Sequence, residues 1–154
     1  MAATLSALFK ERILVLDGAM GTMIQRHELT EADYCGTEFA GHASDLFGCN
    51  DLLSVTRPGL IENIHQEYLE AGADIIETNT FNATRISLAD YTLEDKVRAI
   101  NLTAAQCARA AVNAVLKNHP KRLCFVAGSI GPPSKTASLS PDVDDPTYRE
   151  VNFE

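Results

Sequence analysis

Apolar residues follow two rhythms along this chain. Short segments built around adjacent apolar residues occur at 13–16, 50–55, 73–78 and 123–127. Between them the apolar positions recur every three or four residues. A short apolar run suits a strand covered on both faces, as in a parallel sheet, and a three-to-four spacing marks a helix with one buried stripe. The pattern therefore predicts four strands at those runs. It predicts a short helix over 4–12 through Leu5, Leu8 and Phe9, and one over 20–27 carrying Met20, Met23, Ile24 and His27. A third helix runs from Pro58 to about Ala71 with Leu60, Ile61, Ile64, Tyr68 and Leu69 as its stripe. A fourth, long one carries Val97, Ile100, Ala104, Cys107, Ala111 and Val115.

The punctuation fits this division. Pro58 sits in a first helical turn, Gly72 is placed for a left-handed C-terminus, and His119-Pro120 stops the long helix. Thr92 with Asp95 three residues on has the spacing of a capping box. Residues 82–90 read as a short helix or an irregular turn. Residues 28–47 are polar and weakly periodic, a long loop of the kind that is usually functional or mobile. After the glycine turn at 128–131 the chain reads as loop, with at most the start of another helix. Strands alternating with crossover-length helices give an α/β domain. Four strands begin an open doubly wound sheet and a (β/α)8 barrel alike. The last strand has no returning helix, so the expectation is a truncated piece of something larger.

Composition narrows the function. At 154 residues, 45% hydrophobic and 22% charged, the chain holds one domain with a real core. Its net charge of -8 argues against a nucleic-acid partner, which needs a basic face. The N-terminus has no basic and apolar leader pattern, and no run approaches the ~20 residues of a membrane span. A cytoplasmic small-molecule protein with no membrane partner is expected. Cys35, Cys49, Cys107 and Cys124 form no C-x-x-C and no close pairing with His27, His42, His65 or His119. Cys107 and Cys124 read as small core residues, and a zinc or a bridge shared by Cys35 and Cys49 is left open.

The candidate chemistry sits where strands end. Asp17, Gly18, Ala19, Met20 and Gly21 follow the first run, Glu77, Thr78, Asn79 and Thr80 end the third, and the glycine turn 128–131 ends the fourth. In both parallel architectures these ends share one face, where ligands bind. The glycines are expected to let the chain turn sharply and leave amides uncovered. Asp17 and Glu77 suit an ammonium group, and the amides at Gly18 and Ala19 a carboxylate. Against this, Asp17 suits a helix N-cap, Glu77 can pair with a base, and Thr78 to Thr80 can cap a helix. Nucleotide phosphate loops of the G-x-G-x-x-G or Walker type are absent.

Four stretches resemble the homocysteine-binding region of cobalamin-dependent methionine synthases: Asp17 to Thr22, Cys49 to Leu53, Ala71 to Phe81 and Thr136 to Val143. The first and third are shared more widely among homocysteine methyltransferases; the second and fourth favour the cobalamin-dependent branch. The resemblance implies that residues 1–154 are the first half of a (β/α)8 TIM barrel, a partial homocysteine-binding domain. It implies methyl transfer from methylcobalamin to the zinc-activated thiol of homocysteine, giving methionine, with folate and cobalamin modules as partners. Carried over residue by residue, Asp17 orients the substrate amino group, the Gly18-Ala19 backbone its carboxylate, and Met20, Glu77, Thr78 and Asn79 line the pocket. The family's zinc cysteines lie beyond Glu154. The expectation is therefore that this chain alone has no catalytic residue, binds neither zinc nor cobalamin in a catalytic site, and transfers no methyl group. A half-barrel with open strand edges is also expected to aggregate or dimerise. Two other readings stand beside it: a cobalamin-independent homocysteine methyltransferase using a betaine or sulfonium donor, and a non-catalytic half-barrel that binds amino acids.

Overall fold

A computed structural model describes residues 5–133, 135 and 137–151. In chain order its α-helices are α1 (Leu5–Glu11), α2 (Met20–Gln25), α3 (Glu31–Cys35), α4 (Leu53–Thr56), α5 (Pro58–Glu70), α6 (Arg85–Leu88) and α7 (Val97–Asn118). The strands are β1 (Ile75–Glu77) and β2 (Phe125–Ala127). The fold is α/β, mostly helical, around a small parallel sheet.

The long periodic stretches become α5 and α7, which pack on each other through Ile61, Ile64 and Leu69 on one side and a small-residue face including Ala104, Ala108 and Ala111 on the other. Small residues let the axes approach closely. Gly72 has φ +114°, the left-handed C-terminal conformation its position predicts. At the far end of α7, His119 leaves helical geometry ahead of Pro120. One apolar cluster joins α2, α3, α4, α5 and the first half of α7; a second joins the ends of α5 and α7 to the sheet. Cys107 is buried in the first, and Cys124 is half-buried against the second.

β1 and β2 pair in parallel, with Ile75 opposite Phe125, Ile76 opposite Val126 and Glu77 opposite Ala127. Leu16 forms a parallel bridge with Ile75 on the other side of β1. The three extended segments thus lie side by side in chain order, and their carboxyl ends share one edge.

Several expectations change. Residues 13–16 are extended but not covered on both faces: one bridge holds them, and Ile13 is 89% exposed, Val15 53% and Leu16 50%. Among the described residues no second layer lies over them. Residues 50–55 form no strand; they are a 3-10 turn, Asn50–Leu52, continuing into α4. Asp51 to Ser54 are all buried because this tight turn is wedged among α3, α5 and α7, so the Leu52-Leu53 pair reflects enclosure and not an extended chain. Residues 28–47 are no featureless loop. Thr30 caps α3, its amide and hydroxyl both donating to the Asp33 carboxylate at 2.8 Å, and Tyr34, Phe39 and Leu46 enter the core. The capping box expected at Thr92 does not form. Thr92 is left-handed at φ +56°, its hydroxyl meets Ser44 Oγ at 2.9 Å, and α7 begins only after a 3-10 turn, Glu94–Lys96. The first helix buries Leu8 but leaves Phe9 exposed, and its predicted start at Thr4 lies outside the described residues, as does Thr136. Among the described residues no helix is long and apolar enough to cross a membrane.

Candidate functional site

At the carboxyl ends of the three extended segments a cavity of about 320 Å³ opens. Gly18, Ala19, Met20 and Gly21 border it on one side; Glu77, Thr78, Asn79, Thr80 and Phe81 form the end of β1, with Ser129 beyond β2. Six of the seven residues expected from the sequence line this space. The seventh, Asp17, does not line it and is joined to its wall through the Glu77 amide.

Asp17 is built into the sheet rather than into the following helix. Its amide donates to Ile75 O at 2.9 Å, and its Oδ1 accepts the Glu77 amide at 3.0 Å. The N-cap of α2 is Ala19, with no side-chain cap, which sets aside the helix-cap reading. Half-burial pushes the Asp17 carboxyl up to about 6; the Glu77 amide pulls it down, and the nearby Glu77 carboxylate adds to the rise. A carboxylate with one neighbouring amide and a second acid beside it gains from a cation. Among the described residues Glu77 forms no ion pair, so the alternative of a basic partner is also unmet.

Of the two parts the sequence predicts for the glycines, the sharp turn is not needed and the bare backbone is kept. Neither Gly18 nor Gly21 has a left-handed φ, so no sharp turn demands them. They leave the backbone bare where it borders the cavity, and the amides of the first turn of α2 have no helical acceptor. Such amides can donate to a carboxylate.

Thr78 and Asn79 are already committed to the frame. The Ser129 amide donates to Thr78 Oγ1 at 3.1 Å, Thr80 Oγ1 donates to Ser129 O at 2.8 Å, and the two hydroxyls lie 2.7 Å apart. With Thr80 donating to the carbonyl, Thr78 donates to Thr80 and the ring of bonds closes. Asn79 Nδ2 donates to Asn50 O at 2.7 Å and to Ser54 Oγ at 3.2 Å. These residues fix the pocket's shape, and neither Thr78 nor Thr80 caps α6, which Thr84 does. Of the other lining residues, Gly21, Thr80 and Ser129 lie in the strand-end stretches the sequence marks, and Phe81 was not singled out. The recurrence of polar strand ends pointed to their neighbourhood, but their meeting depends on the β1–β2 register.

No zinc site is assembled by these residues. Among the described residues no three His, Cys, Asp or Glu gather in a ligand cluster. All four cysteines are free. Burial pushes the Cys49 thiol up to about 12 and the Cys107 thiol up to about 11, and raises Cys124. The Cys35 thiol is raised by its hydrogen bond to Glu31. With no second and third ligand gathered beside any of them, these thiols offer the ion no site among the described residues.

A family model described as homocysteine S-methyltransferase matches residues 14–154. Among solved structures, the chain is similar to the homocysteine methyltransferase MmuM from Escherichia coli. Its oxidised form is 31% identical with a TM-score of 0.66, the match covering 83% of this chain and 40% of MmuM. The metallated form gives 30% and 0.65 over 83% and 41%, and the apo form 27% and 0.55 over 80% and 38%. The chain spans about two-fifths of the length of these structures. The matched residues begin within the extended segment that delivers Asp17 and run through the whole pocket, and on that match this chain belongs to the homocysteine S-methyltransferase family.

Proposed function

We propose that the cavity at the strand ends holds the amino-acid end of homocysteine, the methyl acceptor of a methyltransferase whose product is methionine. The observation that carries this is the pairing, on one edge, of the half-buried Asp17 carboxylate with the bare backbone at Gly18, Ala19 and the start of α2, which lines the cavity. Asp17 and Glu77 take the ammonium group and the Gly18-Ala19 backbone the carboxylate, leaving the side chain to extend into the cavity. Met20, Thr78 and Asn79 complete the walls. In the transfer itself the substrate sulfur, as thiolate, forms its bond to the methyl carbon while the donor leaves with the bonding pair. This chain's own residues bind and orient; they supply no group that activates the thiol.

In the same reading the fold is part of a (β/α)8 barrel, and residues 1–154 are part of its homocysteine-binding domain. The chain-order pairing of Leu16, β1 and β2 supports this, because a barrel adds each strand beside the one before. The donor is methylcobalamin, supported by the Cys49 to Leu53 and Thr136 to Val143 motifs, with zinc, folate and cobalamin modules supplied from outside these residues. A sulfonium or betaine donor is the competing reading, and the similarity to MmuM is compatible with it.

Calorimetric titration with L-homocysteine tests the acceptor. Saturable binding that is lost when the amino group is acetylated is expected; equal binding of the acetylated compound overturns it. Methionine formation by the intact protein is then compared with methylcobalamin, a methylsulfonium and betaine. Turnover with either of the last two, without cobalamin, overturns the donor assignment.

A further inference from the structure

Phe81 meets the glycine turn after β2 in a contact that backbone conformation does not require. Gly131 has no left-handed φ, so any residue suits its backbone. A Cβ added there would nonetheless lie within 2.7 Å of Cε1, Cδ1 and Cζ of the Phe81 ring, closer than real Cβ atoms come. The Gly131 amide also donates to Phe81 O at 2.8 Å. Glycine is needed at 131 to seat that ring.

The seated ring is not there to fill the core. Phe81 is 54% exposed, belongs to neither apolar cluster, and borders the cavity. Met20, the other large apolar residue on the wall, packs against the first cluster. The remaining lining side chains beyond Ala19 are polar or absent. On the Phe81 side, the Thr78–Thr80–Ser129 ring of hydrogen bonds and the Gly131 contact hold the loop after β1 against the loop after β2. An aromatic face held fixed beside polar walls offers one thing they do not: a surface for methylene groups.

We infer that Phe81, seated on Gly131, is a specificity-determining residue that packs against the side-chain methylenes of the bound amino acid and so selects for an unbranched aliphatic stem. The inference rests on the amino-acid reading above and names the part of the ligand that the charged groups do not recognise.

A ladder of ligands without sulfur tests it independently of any metal or methyl donor. L-Alanine, L-2-aminobutyrate and L-norvaline are titrated into the protein by calorimetry, with L-homocysteine as the reference. In the wild type each added methylene is expected to tighten binding about fourfold. In Phe81→Ala the increments fall below about twofold, while L-alanine binds as before. Gly131→Ala, which removes no ligand contact, also flattens the ladder by displacing the ring. Circular dichroism and thermal melting establish that each variant is folded; if Gly131→Ala is not, Phe81→Ala and Phe81→Leu decide, since position 81 is exposed. Wild-type increments retained in Phe81→Ala overturn the role of Phe81 and leave the amino-acid reading standing. Failure of the wild type to bind L-homocysteine and every ladder compound overturns both.

Discussion

Asp17 and Asp74 lie at opposite ends of neighbouring parallel segments, and their surroundings differ in kind. Asp74, just before β1, receives a forked pair of bonds from Arg12 at 2.7 and 2.8 Å and the Val15 amide at 3.0 Å. The Arg12 guanidinium holds its carboxyl down at about 2. Asp17, just after Leu16, has the Glu77 amide and an acid for a neighbour, and half-burial lifts it to about 6. One carboxylate is saturated with donors and fastens the amino ends of the segments together. The other is short of positive charge at the edge of a cavity. Burial without a cation at Asp17, and a paired guanidinium at Asp74, separate an aspartate poised for a ligand from a structural one.

The largest expected effect is one that would blur this contrast. His65 is fully buried in α5 with neither ring nitrogen hydrogen-bonded, and burial lowers it to about 4. The unfolded chain binds its proton near the ordinary 6.5 while the folded chain resists, so stability falls as pH drops from about 6.5 to 4, by about 2–3 kcal/mol. Denaturant titrations across that range should show the slope, and His65→Leu should remove it. Against that flattened background the aspartates separate.

Asp17→Asn should weaken L-homocysteine binding by about tenfold to a hundredfold, the loss of roughly 1.5–3 kcal/mol carried by a hydrogen bond to a charged group. Calorimetry reads it directly. Asp74→Asn should leave the affinity near wild type and lower stability by about 1–2 kcal/mol, most of it from the buried amide bond, because solvent screens the exposed Arg12 end. A drop in affinity as large as that of Asp17→Asn would erase the distinction. The smallest effect has an unusual sign. Asp17 is raised when folded, so the native state takes up its proton first and stability falls as pH rises through about 4 to 6. Asp17→Asn should therefore be more stable than wild type above pH 6, on the order of 1 kcal/mol after screening, and equal to it near pH 4. Asp74 runs the other way, its contribution present above about 4 and fading toward 2. Thermal melts of both variants across pH check the opposed signs.

What the sequence makes legible follows from range. α5 and α7 declare themselves through spacing and end signals because a helix is closed by neighbours three and four residues away. Residues 50–55 mislead because four enclosed positions in a row look the same in a strand and in a buried turn. Thr30 with Asp33 carried a cap signal inside a stretch that polarity alone marks as loop, while Thr92 with Asp95 carried a similar spacing and failed, its hydroxyl drawn off to Ser44. Within the pocket, the acidic strand ends could be seen one at a time. The bond from the Glu77 amide to Asp17, the threonine ring on Ser129 and the seat of Phe81 on Gly131 join residues 49 to 60 positions apart, or fix their relation through the sheet register, and no local pattern encodes them.

The chain-order pairing of the sheet also bears on how such a protein is made. Leu16 waits for Ile75, and β1 for β2, so each extended segment finds its partner in the next one to leave the ribosome. At about 5–20 residues per second, the 50 positions separating Ile75 from Phe125 correspond to roughly 3–10 s of synthesis. During that interval α7 emerges and can settle against α5, ready to receive β2. The walls of the pocket thus leave the ribosome in the order in which they stand side by side.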